Sequence, residues 1–511
     1  MTAAPRSWLF ALVAVTVAFK FWLSAVFPVT GDEAYFIYWG VNPALGYYDH
    51  PPMVGWWLAL LYRISDVPWL LRLPVTLLPA AMSLGLYAAL RRYDEDKAAL
   101  AALGLLLAPI QVWNVFITTD TPLVAFSFLS GLAFWRAVRE EKPELAKSGA
   151  LGWHALAGVF LGLAFLSKYF AALLGFAYLA YFLITPRAQR DWKGLAVTAA
   201  AALPFVVLNL YWNYENCWGN LMFNVYNRHD DAGWSWRTPL LYAVTVLYVL
   251  APTTLFAWAK NRSWVGRLGS DAGFRLFVAL GGAPFLLFGA LSLVKQIGLH
   301  WVLSFVPFFF AACALLLERR QLVGTALFAG VFSLVHVLAI AAVAMQPMER
   351  WQGTRIYDGI VFHFRIDDIL KALQPYEGEY EIAADGYSAA VTSSYYRGRY
   401  VFVFGEASSH ARHDDLVTDF RRLDGRNILV LRKSPPQDAD YRPYFASVEY
   451  RSFELSGATF HLVLGRHFDY SRYRDAVLVK VRDRYYRMPS YLPQGHCSFC
   501  ERYFVSSCPV R

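Results

Sequence analysis

Apolar runs of about twenty residues recur through the first two thirds of the chain, and this recurrence constrains the fold more than any other feature. A hydrocarbon core is crossed by about 20 apolar residues at about 1.5 Å of helical rise each. Runs at approximately 8–27, 69–90, 97–116, 121–138, 150–166, 169–185, 194–212, 238–259, 274–294, 299–317 and 321–345 reach or nearly reach that length. Backbone in lipid must satisfy its own hydrogen bonds, so such runs read as helices. The fold class expected is mostly α, a polytopic membrane bundle of about 11–13 helices, with a soluble α/β domain at the C-terminus. The first run lacks a small-residue cleavage site and reads as a signal anchor. The pair 150–166 and 169–185 is nearly continuous and reads as two short helices meeting at Ser167-Lys168-Tyr169.

The chain carries a net charge of +9, with only 17% charged residues. Many of its cations sit in short connections between apolar runs, where they orient helices, so no nucleic-acid partner is expected. With Arg6 cytoplasmic, one set of connections holds Arg91, Arg92 and Lys97; Arg139, Lys142 and Lys147; Arg187, Arg190 and Lys193; Lys260, Arg262 and Arg267; and Arg319 and Arg320. The opposite set holds only Arg63, Lys168, Arg228, Arg237 and Lys295. This asymmetry implies a cytoplasmic N-terminus and an outer location for everything after about residue 345.

From Gln346 onward charges become frequent and apolar runs shorten to strand length. Residues 1–345 are therefore expected to form the transmembrane domain and 346–511 an outer α/β domain. Strands are expected over Glu381–Asp385, Tyr400–Phe404, Asn427–Arg432, Phe460–Gly465 and Ala476–Val481, and helices over Asp367–Leu373, Ser388–Tyr396 and Asp414–Leu423. Five cysteines are present. Cys497, Cys500 and Cys508 cluster, so a disulfide among them, a Cys/His zinc site with His496 or free thiols stay open.

Chemistry concentrates in the outer connections. The first, from Pro28 to about Pro68, contains Gly31-Asp32-Glu33-Ala34-Tyr35 and Gly46-Tyr47-Tyr48-Asp49-His50-Pro51-Pro52. It is long, aromatic and stiffened by Pro-Pro, so it is expected to be folded. An acidic site beside a lipid surface suits a lipid-linked substrate. Asp32, Glu33 and Asp120 are the candidate catalytic carboxylates; Asp120 in Thr118-Thr119-Asp120-Thr121-Pro122 equally suits a helix cap. Tyr35, Tyr48, Asp49 and His50 are candidates for substrate binding; the aromatic rings equally suit an interfacial belt, Trp301 among them. Lys168, Arg228 with His229, Lys295 and His300 place positive charge and imidazoles on outer turns, a pattern that fits a lipid phosphate, while snorkelling stays open for each. Lys20, inside the first run, either snorkels or faces a cavity.

These motifs, with Gly162-Leu163-Ala164-Phe165-Leu166-Ser167-Lys168-Tyr169, resemble the bacterial GT-C membrane glycosyltransferases, nearest the protein O-mannosyltransferase-like and lipid A aminoarabinose transferase-like group. The C-terminal segments Ala384-Asp385-Gly386-Tyr387 and Leu423-Asp424-Gly425-Arg426-Asn427 are similar to the outer domain of some members. The resemblance implies an inverting transferase, metal-independent or metal-assisted, with no other cofactor. Its partners would be membrane lipid, a polyprenyl-phosphate sugar as donor and a glycolipid or lipopolysaccharide as acceptor, at the periplasmic face of a bacterial inner membrane. It further implies that Asp32, with Glu33 beside it, acts as base or orients the acceptor, that Asp120 is the second acidic position, and that Lys168, Arg228, Lys295 and His300 hold the donor phosphate. Only Lys168 of those four lies within a matched motif. A lipid or sugar transporter or flippase with an outer binding domain is the competing reading, and a non-catalytic scaffold a second; the sugar and the acceptor stay open.

Overall fold

A computed structural model describes residues 4–139, 146–227, 233–406, 408 and 412–504. All eleven apolar runs are wholly or largely helical. Among the described residues seven helices are long and apolar enough to cross a membrane: Pro5–Val26, Pro68–Leu90, Asp120–Arg139, Trp192–Glu215, Ala272–Leu291, Leu299–Leu316 and Arg319–Ala344. Arg237–Leu250 and Pro252–Lys260 would make an eighth, bent by 90°. The bend falls where Ala251 takes a φ of 61° just before Pro252.

The number of full-length spans is therefore smaller than the run count, for local reasons. Glu95–Leu106 stops short of Pro109, which lacks a donor for a continuing helix. The apolar helices Gly149–Phe165 and Ala171–Ile184 are shorter than a span and are separated by the turn at Ser167-Lys168-Tyr169.

The chain forms two discontinuous compact units. The first comprises Met1–Val26, Ser65–Leu208 and Asp231–Ala344; the second comprises Phe27–Ile64, Asn209–Asp230 and Met345–Arg511. In the first unit, connections assigned to one side by their charge do meet. Arg6 pairs with Glu95 at 3.2 Å and Arg319 with Asp96 at 3.1 Å, and the Arg139 guanidinium lies 4.6 Å from the Tyr93 ring centroid. Asp120 begins the helix that Arg139 ends. About 30 Å of helix separates the two residues.

The second unit shows that the first long connection is folded. It contains α1 (Gly31–Val41) and α2 (Met53–Tyr62). The C-terminal region contributes α3 (Tyr387–Arg397) and a five-stranded sheet: β1 (Glu381–Ala384), β2 (Phe402–Val403), β3 (Ile428–Arg432), β4 (Phe445–Leu455) and β5 (Ala458–Phe468). The order is β2-β1-β3-β5-β4, with β1 parallel to β2 and β3, and β5 antiparallel to β3 and β4. Side chains alternate across β3. Ile428 and Val430 enter a core with Phe404, Phe420 and Tyr473, whereas Leu429 and Leu431 enter another with Val361 and Ile369.

Two expected elements differ in the structure, and one strand was not expected. The segment Ala476–Val481 is helical, within Arg474–Leu478 and Val479–Tyr485, and buries Val477, Leu478, Val481 and Tyr485 at helical spacing. The strand missed by sequence is β4, a largely exposed edge strand without an apolar run. Its hairpin to β5 turns through Ser456 and Gly457, both at positive φ (49° and 77°), as a two-residue primed turn requires. The helix over Asp414–Leu423 is only Asp414–Val417, followed by a 3-10 turn at Phe420–Leu423.

One disulfide joins the C-terminal cysteine cluster to a distant segment. Cys497 bonds Cys217, 280 residues away, and the Cys217 amide donates to the His496 carbonyl at 2.8 Å. Cys500 is buried and also disulfide-bonded, and Cys508 lies outside the described residues. Among the described residues no group of three His, Cys, Asp or Glu side chains is placed to hold a metal.

Candidate functional site

The acidic motif begins α1. Thr30 is its N-cap: the Thr30 hydroxyl accepts from the Glu33 amide at 3.3 Å, and Glu33 Oε2 accepts from the Thr30 amide at 3.0 Å. This is the reciprocal capping box that Thr-x-x-Glu encodes. Glu33 is fully buried by it, whereas Asp32 points to solvent.

Asp32 is nevertheless held. The Tyr387 hydroxyl, from the first residue of α3, donates to Asp32 Oδ1 at 2.8 Å. Burial, and then the Asp32 charge, push the Tyr387 phenol well above its ordinary range, so it remains a donor. Gly31 makes the approach possible: a Cβ there would lie 1.9 Å from Ser388 Oγ.

The second motif of the same connection lies beneath. Tyr35 donates to Asp49 Oδ1 at 3.3 Å, and the His413 amide donates to the Tyr35 hydroxyl at 3.4 Å. Burial and the Asp49 charge raise the Tyr35 phenol well above its ordinary range. Tyr35, Tyr48 and Asp49 are buried, while the half-buried His50 ring sets its edge near Phe36 and Trp39. Trp39 and Tyr47 stack with centroids 4.2 Å apart, and Gly55 leaves room for the Tyr47 hydroxyl.

Sequence reasoning missed the groups that fix this loop. Asn220 Nδ2 donates to the Tyr47 and Tyr48 carbonyls at 3.1 and 3.3 Å, Asn224 Nδ2 to the Asp49 carbonyl at 3.0 Å, and Asn227 Nδ2 to the Tyr48 hydroxyl at 3.0 Å. Their spacing of four and then three residues on one helical face was the available signal.

The other candidates belong to the first unit. Asp120 is the first residue of its helix, and both its carboxylate oxygens accept from Lys168 Nζ, at 2.9 and 3.0 Å. Both side chains are nearly buried, at 10% and 7% exposure. Asp120 also lines a small pocket with Lys20, Asn114, Thr118 and Thr121. Lys20 Nζ donates to the Val75 and Gln111 carbonyls at 2.8 and 3.3 Å. The Val75 carbonyl is available because residue 79, its helical partner, is a proline inside Leu73–Leu90. Arg72 similarly donates at 2.7 Å to the Ser24 carbonyl in the last turn of Pro5–Val26.

The turns of Lys168 and His300 meet through aromatic rings. Lys168 Nζ lies 5.3 Å from the Phe170 centroid, Phe170 is 4.7 Å from Trp301, and Trp301 is 6.3 Å from the exposed His300 ring. Lys295 is half-buried just beyond Ala272–Leu291. Arg228 and His229 lie outside the described residues.

A family model described as dolichyl-phosphate-mannose-protein mannosyltransferase matches residues 49–212. The crystal structure of ArnT from Cupriavidus metallidurans bound to undecaprenyl phosphate superposes with a TM-score of 0.61 at 17% identity, covering 89% of this chain and 98% of that one. The apo structure of the same ArnT gives 0.60 at 16% identity, with the same coverage. This chain has the fold of the ArnT-like GT-C group. Two relatives from Rhizobium johnstonii also align. The lipid A galacturonosyltransferase RgtD is 28% identical over 53% of this chain and 57% of its own length. The lipopolysaccharide core galacturonosyltransferase RgtB is 30% identical over 41% of this chain and 43% of its own. The aligned part of the chain thus spans about half the length of these relatives.

Proposed function

We propose that this chain is a polyprenyl-phosphate-sugar-dependent glycosyltransferase acting on a lipid or lipopolysaccharide acceptor at the periplasmic face of a bacterial inner membrane. The observation that carries the reading is the exposed Asp32 carboxylate, placed by a capped helix and oriented by the Tyr387 hydroxyl. The GT-C fold and the glycosyltransferases among the relatives support it.

The reaction is direct displacement at the anomeric carbon. An acceptor hydroxyl attacks, the bond to the donor phosphate oxygen breaks, and polyprenyl phosphate leaves with the electron pair. Asp32 takes the hydroxyl proton, or orients the acceptor when that group is already anionic. Glu33 fixes the helix turn that presents Asp32. Tyr35, Tyr48, Asp49 and His50 shape the acceptor side. Asp120, Lys168, Lys295, His300 and Arg228 serve the donor phosphate, whose developing charge needs cations more than a proton. The donor's lipid suits a multi-pass protein, with residues 1–345 as the membrane domain and 346–511 as an outer domain.

The test uses purified full-length protein, a polyprenyl-phosphate uronic acid and lipid A. Wild type is expected to transfer the sugar, and Asp32→Asn to lose at least about a hundredfold in kcat, the scale of general-base catalysis. Full activity in Asp32→Asn would remove Asp32 from this role. Vesicle flux of the lipid-linked sugar without transfer would favour the transporter reading.

A further inference from the structure

The seam between α1 and α3 continues beyond Asp32. At one end, the first turns meet through Asp32–Tyr387 and Gly31–Ser388. At the other, the last turns of both helices line a pocket, so the two helices run in the same direction. Tyr38 lies six residues beyond Asp32 and Asn42 ten, which is about 9 and 15 Å of helix. A group bound there would sit one or more sugar units from the reacting atom.

The lining has a definite chemistry. Tyr38, Tyr62, Tyr395 and Tyr400 supply flat amphipathic surfaces, and Arg399 supplies a guanidinium. Tyr38 and Tyr400 face each other with centroids 5.6 Å apart. The Tyr400 hydroxyl is committed to Asp414 and to Thr418, so Tyr400 presents its ring. Gly398, at a φ of 68°, ends α3 with the left-handed residue that turns the chain, so that Arg399 and Tyr400 follow into the pocket wall. Arg399 is exposed and pairs with no carboxylate among the described residues, and no acidic side chain lines the pocket. Guanidinium groups recognise carboxylate and phosphate bidentately.

We propose that this pocket binds an anionic sugar unit of the acceptor, phosphorylated or carboxylated, at a distance along the α1–α3 seam from the sugar that receives the new linkage. The inference rests on the transferase reading and adds an acceptor subsite to it. Binding energy gathered there positions the acceptor hydroxyl against Asp32 without taking part in bond making.

The test measures equilibrium binding of lipid A micelles to the full-length protein without donor, then transfer with donor. Probes are intact lipid A, phosphatase-treated lipid A, and phosphatase-treated lipid A carrying a uronic acid. Arg399→Gln is expected to weaken binding of the anionic acceptor by about tenfold or more, the scale of a hydrogen bond to a charged group, and to raise the acceptor KM while leaving the donor KM unchanged. Wild type should lose the same factor when the recognised anion is removed, and Arg399→Gln should not respond to that removal. Loss on phosphatase treatment identifies a phosphate; recovery with the uronic acid identifies a carboxylate. Equal binding by wild type and variant, a change confined to the donor KM, or no response of wild type to either anion would overturn the proposal. If wild type transfers sugar but Arg399→Gln binds normally, the subsite fails alone. If wild type binds the anionic acceptor through Arg399 yet transfers nothing, the transferase reading fails alone.

Discussion

The Tyr387 hydroxyl donates to Asp32 Oδ1 at 2.8 Å across 355 residues of sequence, and among the described residues no other hydrogen bond reaches that carboxylate. Removing the donor should therefore act through Asp32. Tyr387→Phe is expected to lower kcat about threefold to tenfold, less than a fully buried charged hydrogen bond would give, with little change in donor KM. In an Asp32→Asn background the same substitution should cost nothing further. A double-mutant cycle on kcat checks this, and additive losses would assign Tyr387 an independent structural role.

The buried Asp120–Lys168 pair separates stability from function. Asp120→Ala or Lys168→Ala each leaves a charge unpaired in a nearly buried place, a change worth about 3–5 kcal/mol. Each should lower the thermal midpoint markedly. The double variant Asp120→Leu with Lys168→Met should recover most of that stability, because replacing both partners by apolar groups is often neutral. Transfer should stay lost in it. Restored activity would make the pair purely structural.

The neighbours His413 and Asp414 predict an opposed pH dependence. Burial pushes Asp414 up to about 7 and His413 down to about 4, from 3.8 and 6.5. Between pH 7 and 4 the folded chain holds a proton on Asp414 that the unfolded chain has released, so this term gains stability as pH falls. Between pH 6.5 and 4 the unfolded chain protonates His413 and the folded chain does not, so this term loses stability as pH falls. Wild type should show a shallow profile across the shared window. Asp414→Asn removes only the first term, and its melting temperature should fall relative to wild type by a few degrees between pH 6.5 and 4.5. Parallel profiles would show that the two residues do not titrate as described.

Much of this was readable locally. Apolar run length located the seven helices that, among the described residues, are long and apolar enough to cross a membrane, and the alternation in Ile428–Arg432 located a central strand. Thr30-Gly31-Asp32-Glu33 was a legible capping box, although as an acidic motif its Glu33 was weighted toward chemistry. The edge strand Phe445–Leu455 escaped because it buries little and so carries no apolar run. Ala476–Val481 was assigned to a strand because six residues are too few to separate a period of two from one of 3.6. Asn220, Asn224 and Asn227 escaped because their partners, the carbonyls of residues 47–49 and the Tyr48 hydroxyl, lie in a segment remote in the chain.

By itself the sequence determined the membrane class, the helices, the asymmetry of charge and the identity of the acidic loop. Those follow from hydrophobicity and short-range hydrogen bonding, which need no knowledge of distant residues. Only the tertiary structure decided that Tyr387 meets Asp32, that Lys168 closes on Asp120, and that Cys217 bonds Cys497. It also decided that the first long connection and residues 209–227 belong to one unit with the C-terminal region. Each pairing joins residues 48 to 355 positions apart. Such partners are chosen by the packing of helix and sheet faces, a property no local window of sequence contains.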